Sequence, residues 1–121
     1  DPQFVLSLIT VESRFNKYAI SSAGARGIMQ VMPFWQRQIG ARDQDLLNVQ
    51  TNIRFGCTIL RHYLQLEHGD MFMALGRYNG SRGQATYPNL VFGALNRYWQ
   101  PATVMMMAKN GELKSVNYAV N

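Results

Sequence analysis

Between Val49 and Leu66 the chain carries apolar side chains at Ile53, Phe55, Cys57, Ile59, Leu60, Tyr63, Leu64 and Leu66. That face is wide enough for a helix running through the middle of a core rather than along its surface. With 121 residues in all, the chain has length for one hydrophobic core and not for two. The expectation is an all-α, mainly helical single domain built around this segment.

The flanking sequence supports that class. Asp1 can cap a helix with Pro2 at its first position, and Phe4, Val5, Leu8, Ile9, Glu12 and Phe15 recur at spacings of three and four, which predicts an amphipathic helix ending near Arg14. Residues 16–27 turn to Ser, Ala and Gly and read as an irregular loop. Pro33 opens a short helix through Ile39, stopped by Gly40, and residues 43–47 form a polar connection or single turn. Gly69 ends the central helix, and Asp70 caps another through about Tyr78, broken at Asn79-Gly80. Gly83 keeps the following stretch non-helical, and Pro88 starts a helix with Leu90, Val91, Ala94, Leu95 and Tyr98, running to Trp99. Gln100-Pro101 interrupts it. The tail differs: Asn110-Gly111 is a hairpin-turn dipeptide, and Val116, Tyr118 and Val120 alternate with polar neighbours. We therefore expect a main domain over residues 1–108 and a C-terminal tail or small β-hairpin over residues 109–121.

Composition excludes several function classes. Hydrophobic residues make up 47% and charged residues 16%, a globular balance. No apolar run approaches the roughly 20 residues that cross a bilayer, so the expectation is a soluble domain. The first residues already read as a helix start, with no basic and apolar leader before them, so any export signal is expected to have been removed or never to have been present. Cys57 is the only cysteine and has no partner for an internal disulfide; among Phe55, Ile59 and Leu60 it reads as a buried, inert thiol. Nine arginines and three lysines against seven carboxylates give a net charge of +5, which favours an anionic partner. The cations are scattered and do not alternate with aromatics, so nucleic acid is not the expected partner. His62 and His68 stand six apart without nearby cysteines, and no glycine-rich phosphate loop is present. Neither a metal nor a nucleotide cofactor is expected.

One residue breaks the helical pattern. Glu12 lies three residues after Ile9, four after Leu8 and three before Phe15, on the apolar stripe of the first helix. Lost hydration and the negative end of the helix dipole both favour its protonated form, as a general acid requires. The same pattern is open to a structural reading, in which Glu12 turns outward or bonds the loop backbone. Around it, the serine and glycine loop supplies amides and hydroxyls, and Gln30, Tyr78 and Asn79 are sugar-compatible groups. No other acid shares this context: Asp1 and Asp70 read as caps, Asp43 and Asp45 lie in a polar connection, Glu67 ends a helix and Glu112 sits in the tail turn. Most glycosidases need two carboxyl groups, so a one-carboxylate mechanism fits better, with Asp43 or Asp45 as the loop acids able to swing into a cleft.

Three ordered motifs carry a resemblance. They are Glu12-Ser13-Arg14-Phe15-Asn16 with Ser21 and Gly24-Ala25-Arg26-Gly27-Ile28-Met29-Gln30-Val31-Met32-Pro33; Asn52-Ile53-Arg54-Phe55-Gly56 with Tyr63-Leu64; and Ala74-Leu75-Gly76-Arg77-Tyr78-Asn79-Gly80. Together they resemble the soluble lytic transglycosylase domain, which has a goose-lysozyme-like fold. The resemblance implies a peptidoglycan lyase that cuts the β-1,4 bond from N-acetylmuramic acid to N-acetylglucosamine and leaves a 1,6-anhydro product. It implies Glu12 as acid and base, Ser21 near it, Gln30 and Met32 on the sugar chain, and Tyr78 and Asn79 opposite Glu12. For Met29 the core reading is preferred, and Ser13, Ser21 and Met32 have structural readings as loop braces or core. Arg77 stands where the family commonly has alanine, and the short stretch from Tyr87 to Trp99 leaves no room for a further cleft acid. Arg77 and Arg82 read as solvated surface residues, with peptide-stem carboxylates as the functional alternative.

The implied partner is the peptidoglycan glycan strand, met by a monomer in the periplasm or cell envelope. Rival readings are a lysozyme-like muramidase, a non-catalytic peptidoglycan-binding module, and a domain serving a secretion or conjugation apparatus.

Overall fold

The computed structural model describes residues 1–40 and 42–99 in full and the backbone of 103–107 and 113–117. Helix α1 spans Pro2–Ser13, and Asp1 caps it by accepting from the Gln3 amide at 3.0 Å. It ends as Arg14 and Phe15 both turn left-handed, at φ 51° and 65°, a conformation that non-glycine residues adopt rarely. Helix α2 is short, Phe34–Ile39, with Pro33 before its first turn and Gly40 closing it at positive φ. Helix α3 covers Val49–Leu66, and its cap is Asn48, whose Oδ1 accepts from the Thr51 amide at 3.0 Å. Helix α4, Met71–Asn79, starts on Asp70 as expected and stops at left-handed Gly80.

Helix α5 departs from the sequence reading at both ends. It begins at Thr86, so Pro88 is its third residue. A proline there loses nothing, because first-turn amides have no intrahelical acceptor. After Ala94 the chain continues as a π-helical turn over Leu95–Trp99 rather than as an α-helix. The buried face of α5 is Tyr87, Pro88, Val91 and Ala94, whereas Leu90 is 56% exposed. Strands β1 (Thr103–Met107) and β2 (Leu113–Asn117) pair antiparallel with Val104 opposite Val116. The expected turn at Asn110-Gly111, and Tyr118 and Val120, lie outside the described residues.

Helix α1 packs along α5 and the π-helical turn, while α4 packs on α3 and α5. Leu8, Ile9, Met29, Leu46, Phe55, Ile59, Leu75 and Val91 meet in one core. The face that α3 gives to it is Asn52, Phe55, Gly56, Ile59 and Leu60. Ile53, Cys57, Tyr63 and Leu64 flank this face half-buried, and Leu66 is 48% exposed, outside it. Burial raises the Cys57 thiol above its ordinary range, which suits an inert side chain. No described helix is long and apolar enough to cross a membrane.

Candidate active site

The loop between α1 and α2 has almost no regular structure, yet Gly27, Ile28, Met29 and Val31 are buried. One side chain from the central helix holds it. Asn52 is completely buried; its Oδ1 accepts from the Met29 amide at 2.8 Å, and its Nδ2 donates to the carbonyls of Arg26 at 2.8 Å and Leu46 at 2.7 Å. A buried amide keeps its place only when its polar atoms are matched, and here three backbone partners match it. Gly27 sits above it at φ +77°, where a Cβ would collide with the Asn52 amide. Gly56 does the same for Met29, whose side chain fills the space a Cβ would take. Met29 is thus core, as expected. From the other side, the Ser13 hydroxyl donates to the Ile28 carbonyl at 2.7 Å and ties the end of α1 to the loop.

Glu12 lies one residue before the end of α1, facing inward and half-buried. Its Oε2 accepts from the Tyr87 hydroxyl at 2.7 Å. Burial raises the carboxyl from 4.5 to about 6, and the hydrogen bond from Tyr87 pulls the other way. Burial is the larger effect because a neutral hydroxyl stabilises the anion less than lost water destabilises it. Tyr87 answers in kind: burial first and then the Glu12 charge hold its hydroxyl well above the tyrosine range, so it acts as a donor. Tyr78 is raised too, by burial and then by Glu12, which places it within reach of that charge. Its hydroxyl donates to the Met29 carbonyl at 2.7 Å, so Tyr78 joins α4 to the loop.

The other predicted site residues gather on that loop and at the end of α4. Ser21 braces the loop: its backbone amide donates to the Ala25 carbonyl at 2.9 Å and its Oγ accepts from the Ala25 amide at 3.0 Å. Gln30 sits at φ 53° and donates through Nε2 to the carbonyls of Ala19 at 3.1 Å and Gly27 at 2.9 Å. Met32 is half-buried beside Pro33. Asn79 is exposed and donates to the Ser81 hydroxyl at 2.7 Å.

Arg77 and Arg82 lie at the surface as expected, with side chains 37% and 50% exposed, but they are paired. Both donate to Glu67, Arg77 at 2.6 Å through Nε, and Arg82 through Nε and, at 3.0 Å, through Nη2. Their hydrogen bonds hold the Glu67 carboxyl at about 2. Asp1, Asp45 and Asp70 each accept a backbone amide, from Gln3, Leu47 and Met73, and Asp43 is exposed. Among the described residues no group of three or more His, Cys, Asp or Glu side chains is placed to hold a metal. The residue missed from sequence is Tyr87. Its signal is the spacing Tyr87, Val91 and Ala94, which Pro88 hides by reading as a helix start.

The transglycosylase SLT domain family matches residues 1–90. A transglycosylase of Enterobacteria phage PRD1 is 32% identical over 103 residues, covering 79% of this chain and 38% of the phage protein. Among solved structures, an inactive mutant of the lytic transglycosylase Slt from Pseudomonas aeruginosa, with one glutamate exchanged for glutamine, superposes with a TM-score of 0.60 at 29% identity. That match covers 69% of this chain and 15% of the Pseudomonas chain. The 70 kDa soluble lytic transglycosylase of Escherichia coli shares the fold with a TM-score of 0.60 at 23% identity, covering 78% of this chain and 17% of that one. The chain therefore spans well under half the length of these relatives. With a family match that covers about three quarters of its length and a helical fold shared with two lytic transglycosylases, the chain belongs to the transglycosylase SLT domain family.

Proposed function

We propose that this chain is the catalytic domain of a peptidoglycan lytic transglycosylase. It would cleave the β-1,4 bond between N-acetylmuramic acid and N-acetylglucosamine and form 1,6-anhydromuramic acid, as a carbon-oxygen lyase in the periplasm or cell envelope. The observation that carries the reading is the half-buried carboxyl of Glu12, raised to about 6 with no cation among its described partners, while the other described acids cap helices, brace a turn, bind arginines or lie exposed.

In this mechanism protonated Glu12 gives its proton to the glycosidic oxygen as the bond to the anomeric carbon breaks. The resulting carboxylate takes the proton of the muramoyl C6 hydroxyl, and O6 closes onto the anomeric carbon. Glu12 ends protonated, and no water is consumed. The nucleophile belongs to the substrate, so closure is intramolecular and gains the effective concentration that a second carboxylate would otherwise have to supply. Tyr87 holds Oε2, which turns Oε1 toward the bond. The sugar contacts in this reading are the hydroxyl hydrogen of Ser21, Oε1 of Gln30, the Met32 side chain, the Tyr78 ring and the Asn79 amide. The reaction needs no cofactor, and the domain would act as a monomer, either in wall turnover or in opening the wall for a secretion or conjugation apparatus. The loss of activity in the glutamate-to-glutamine mutant of the Pseudomonas relative fits one indispensable acid.

Mass spectrometry of digested sacculi is the test. The expected products carry 1,6-anhydromuramic ends, and Glu12→Gln yields none. Reducing muramic ends alone would assign a lysozyme-like hydrolase, and a folded wild type that binds sacculi without cutting them would assign a binding module.

A further inference from the structure

Around α1 from Glu12 the surface carries a separate groove of about 570 Å³, lined by Thr10, Val11, Arg14, Leu90 and Tyr98. At 3.6 residues per turn, Thr10 lies roughly 160° and Val11 roughly 100° around the helix from Glu12, so groove and carboxyl open on different sides. Leu90 is 56% exposed and Tyr98 58% exposed. Single exposed apolar residues are ordinary, but here two from different turns line one concavity.

The π-helical turn builds this groove. Five residues in π geometry are rare, and such turns recur where a helix is adapted to a site. This one brings Trp99 onto α1: the indole Nε1 donates to Thr10 Oγ1 at 2.9 Å, and the ring packs on Phe15 with centroids 5.8 Å apart. Thr10 in turn donates to the Leu6 carbonyl at 2.8 Å. Its hydroxyl is therefore matched within the protein, and the polar capacity of the groove comes from cations. Arg14 lines it, and the Arg97 guanidinium lies 5.3 Å from the Tyr98 ring centroid. Among the described lining residues there is no carboxylate.

A groove that pairs an aromatic and an aliphatic surface with an exposed arginine suits a ligand with both an apolar face and an anion. We propose that it is a second peptidoglycan site, taking a stem-bearing glycan with a pyranose face against Tyr98 and Leu90 and a stem carboxylate on Arg14. The site would hold the polymer while Glu12 acts on another stretch of it. This rests on the proposed function, since it takes the same substrate.

Amide chemical shifts of the Glu12→Gln protein, titrated with a soluble disaccharide-peptide from peptidoglycan, separate the two ideas. The expected result is two groups of shifted amides, one around Gln30 and Tyr78 and one around Thr10 and Tyr98. Tyr98→Ala and Leu90→Ser should weaken the second group at least about tenfold and leave the first in place, with the unchanged remainder of the spectrum reporting the fold. Shifts confined to the Gln30 and Tyr78 region, or a second group insensitive to both substitutions, overturn the second site and leave the proposed function standing. No shifts in either region, together with intact sacculi after digestion by the wild type, overturn the proposed function and this inference with it.

Discussion

Two glutamates end two helices of this domain and meet opposite fates. Glu12 closes α1 and Glu67 caps α3, so each carboxyl faces the negative end of a helix dipole, which disfavours its charge. At Glu67 two guanidinium groups overcome this and hold the carboxyl at about 2. At Glu12 the only bonded partner among the described residues is the neutral hydroxyl of Tyr87, and burial takes the carboxyl to about 6. Position on a helix therefore does not make an acid. The absence of a cation among its described hydrogen-bond and ion-pair partners does, combined with enough burial to make ionisation costly.

The segments that the two helix ends hold differ in the same way. The loop after α1 hangs on Asn52, a neutral and fully buried amide, whereas the turn after α4 is tied back to the end of α3 by the exposed arginines on Glu67. The sharpest break of the contrast is Asn52→Ala. It leaves the Met29 amide and the Leu46 carbonyl without partners and the Arg26 carbonyl with the Val31 amide alone; at about 1–3 kcal/mol for each unmatched group, urea unfolding should show a loss of about 2 kcal/mol or more. If the loss stays below about 1 kcal/mol, water reaches these groups and the loop is not held as described.

Next in size is Tyr87→Phe, which removes the hydrogen bond to the Glu12 carboxyl and keeps the ring. The carboxyl then loses a contact that favours its anion, so it titrates higher than about 6 and the loss of cleavage with rising pH moves to higher pH. Because the freed carboxyl is less well aimed, turnover at pH 5 should fall by roughly 10-fold to 100-fold. A pH profile shifted the other way would mean that Tyr87 keeps Glu12 neutral rather than anchoring it.

Glu12→Gln separates function from stability in one variant. The wild-type carboxyl titrates at 4.5 when unfolded and at about 6 when folded. Below 4.5 both states hold the proton and the site carries no penalty. As pH rises through about 6 the fold must accept a buried charge, and it loses about 1–2 kcal/mol. Glutamine never ionises, so the variant should match the wild type at pH 4 and exceed its thermal midpoint at pH 7.5, while cleavage is lost. Equal midpoints at both values would place the carboxyl in water.

The sequence made much of this legible, for reasons that also mark where it stops. Asp1-Pro2 and the three-four spacing placed α1 and put Glu12 on its inner face, because cap chemistry and period are local properties. The same period placed α3 but not the centre of its buried face. Its apolar residues cover so much of the circumference that Ile53 and Leu64 counted as much as Phe55 and Ile59. Asn52 was visible only as part of a motif, since its partners are backbone groups at Arg26, Met29 and Leu46 that local pattern cannot bring to it. Tyr87 is hidden because Pro88 resembles a helix start, although proline fits anywhere in a first turn. The π-helical turn has no residue signature of its own; the pull of Trp99 onto Thr10, from 89 residues away, becomes visible only in three dimensions.

The smallest effect belongs to Glu67→Gln. The Glu67 side chain is only 9% exposed, but the arginines that cover it are 37% and 50% exposed, so water and salt screen the ion pairs. Glutamine keeps the shape and one hydrogen-bond acceptor and removes the carboxylate that the two arginines hold at about 2. Since that carboxyl is depressed when folded, its contribution is present above 4.5 and is lost as pH falls towards 2. The variant should therefore melt slightly below the wild type at pH 7, and the gap should close both at pH 2 and in roughly 1 M salt, where the screening length is about 3 Å. Cleavage should stay near the wild-type level, because the charge removed is the one already neutralised. If instead Glu67→Gln lowered turnover as far as Tyr87→Phe, the two helix ends would be coupled through Arg77 and its neighbour Tyr78, and the division between an acting and a bracing glutamate would fail.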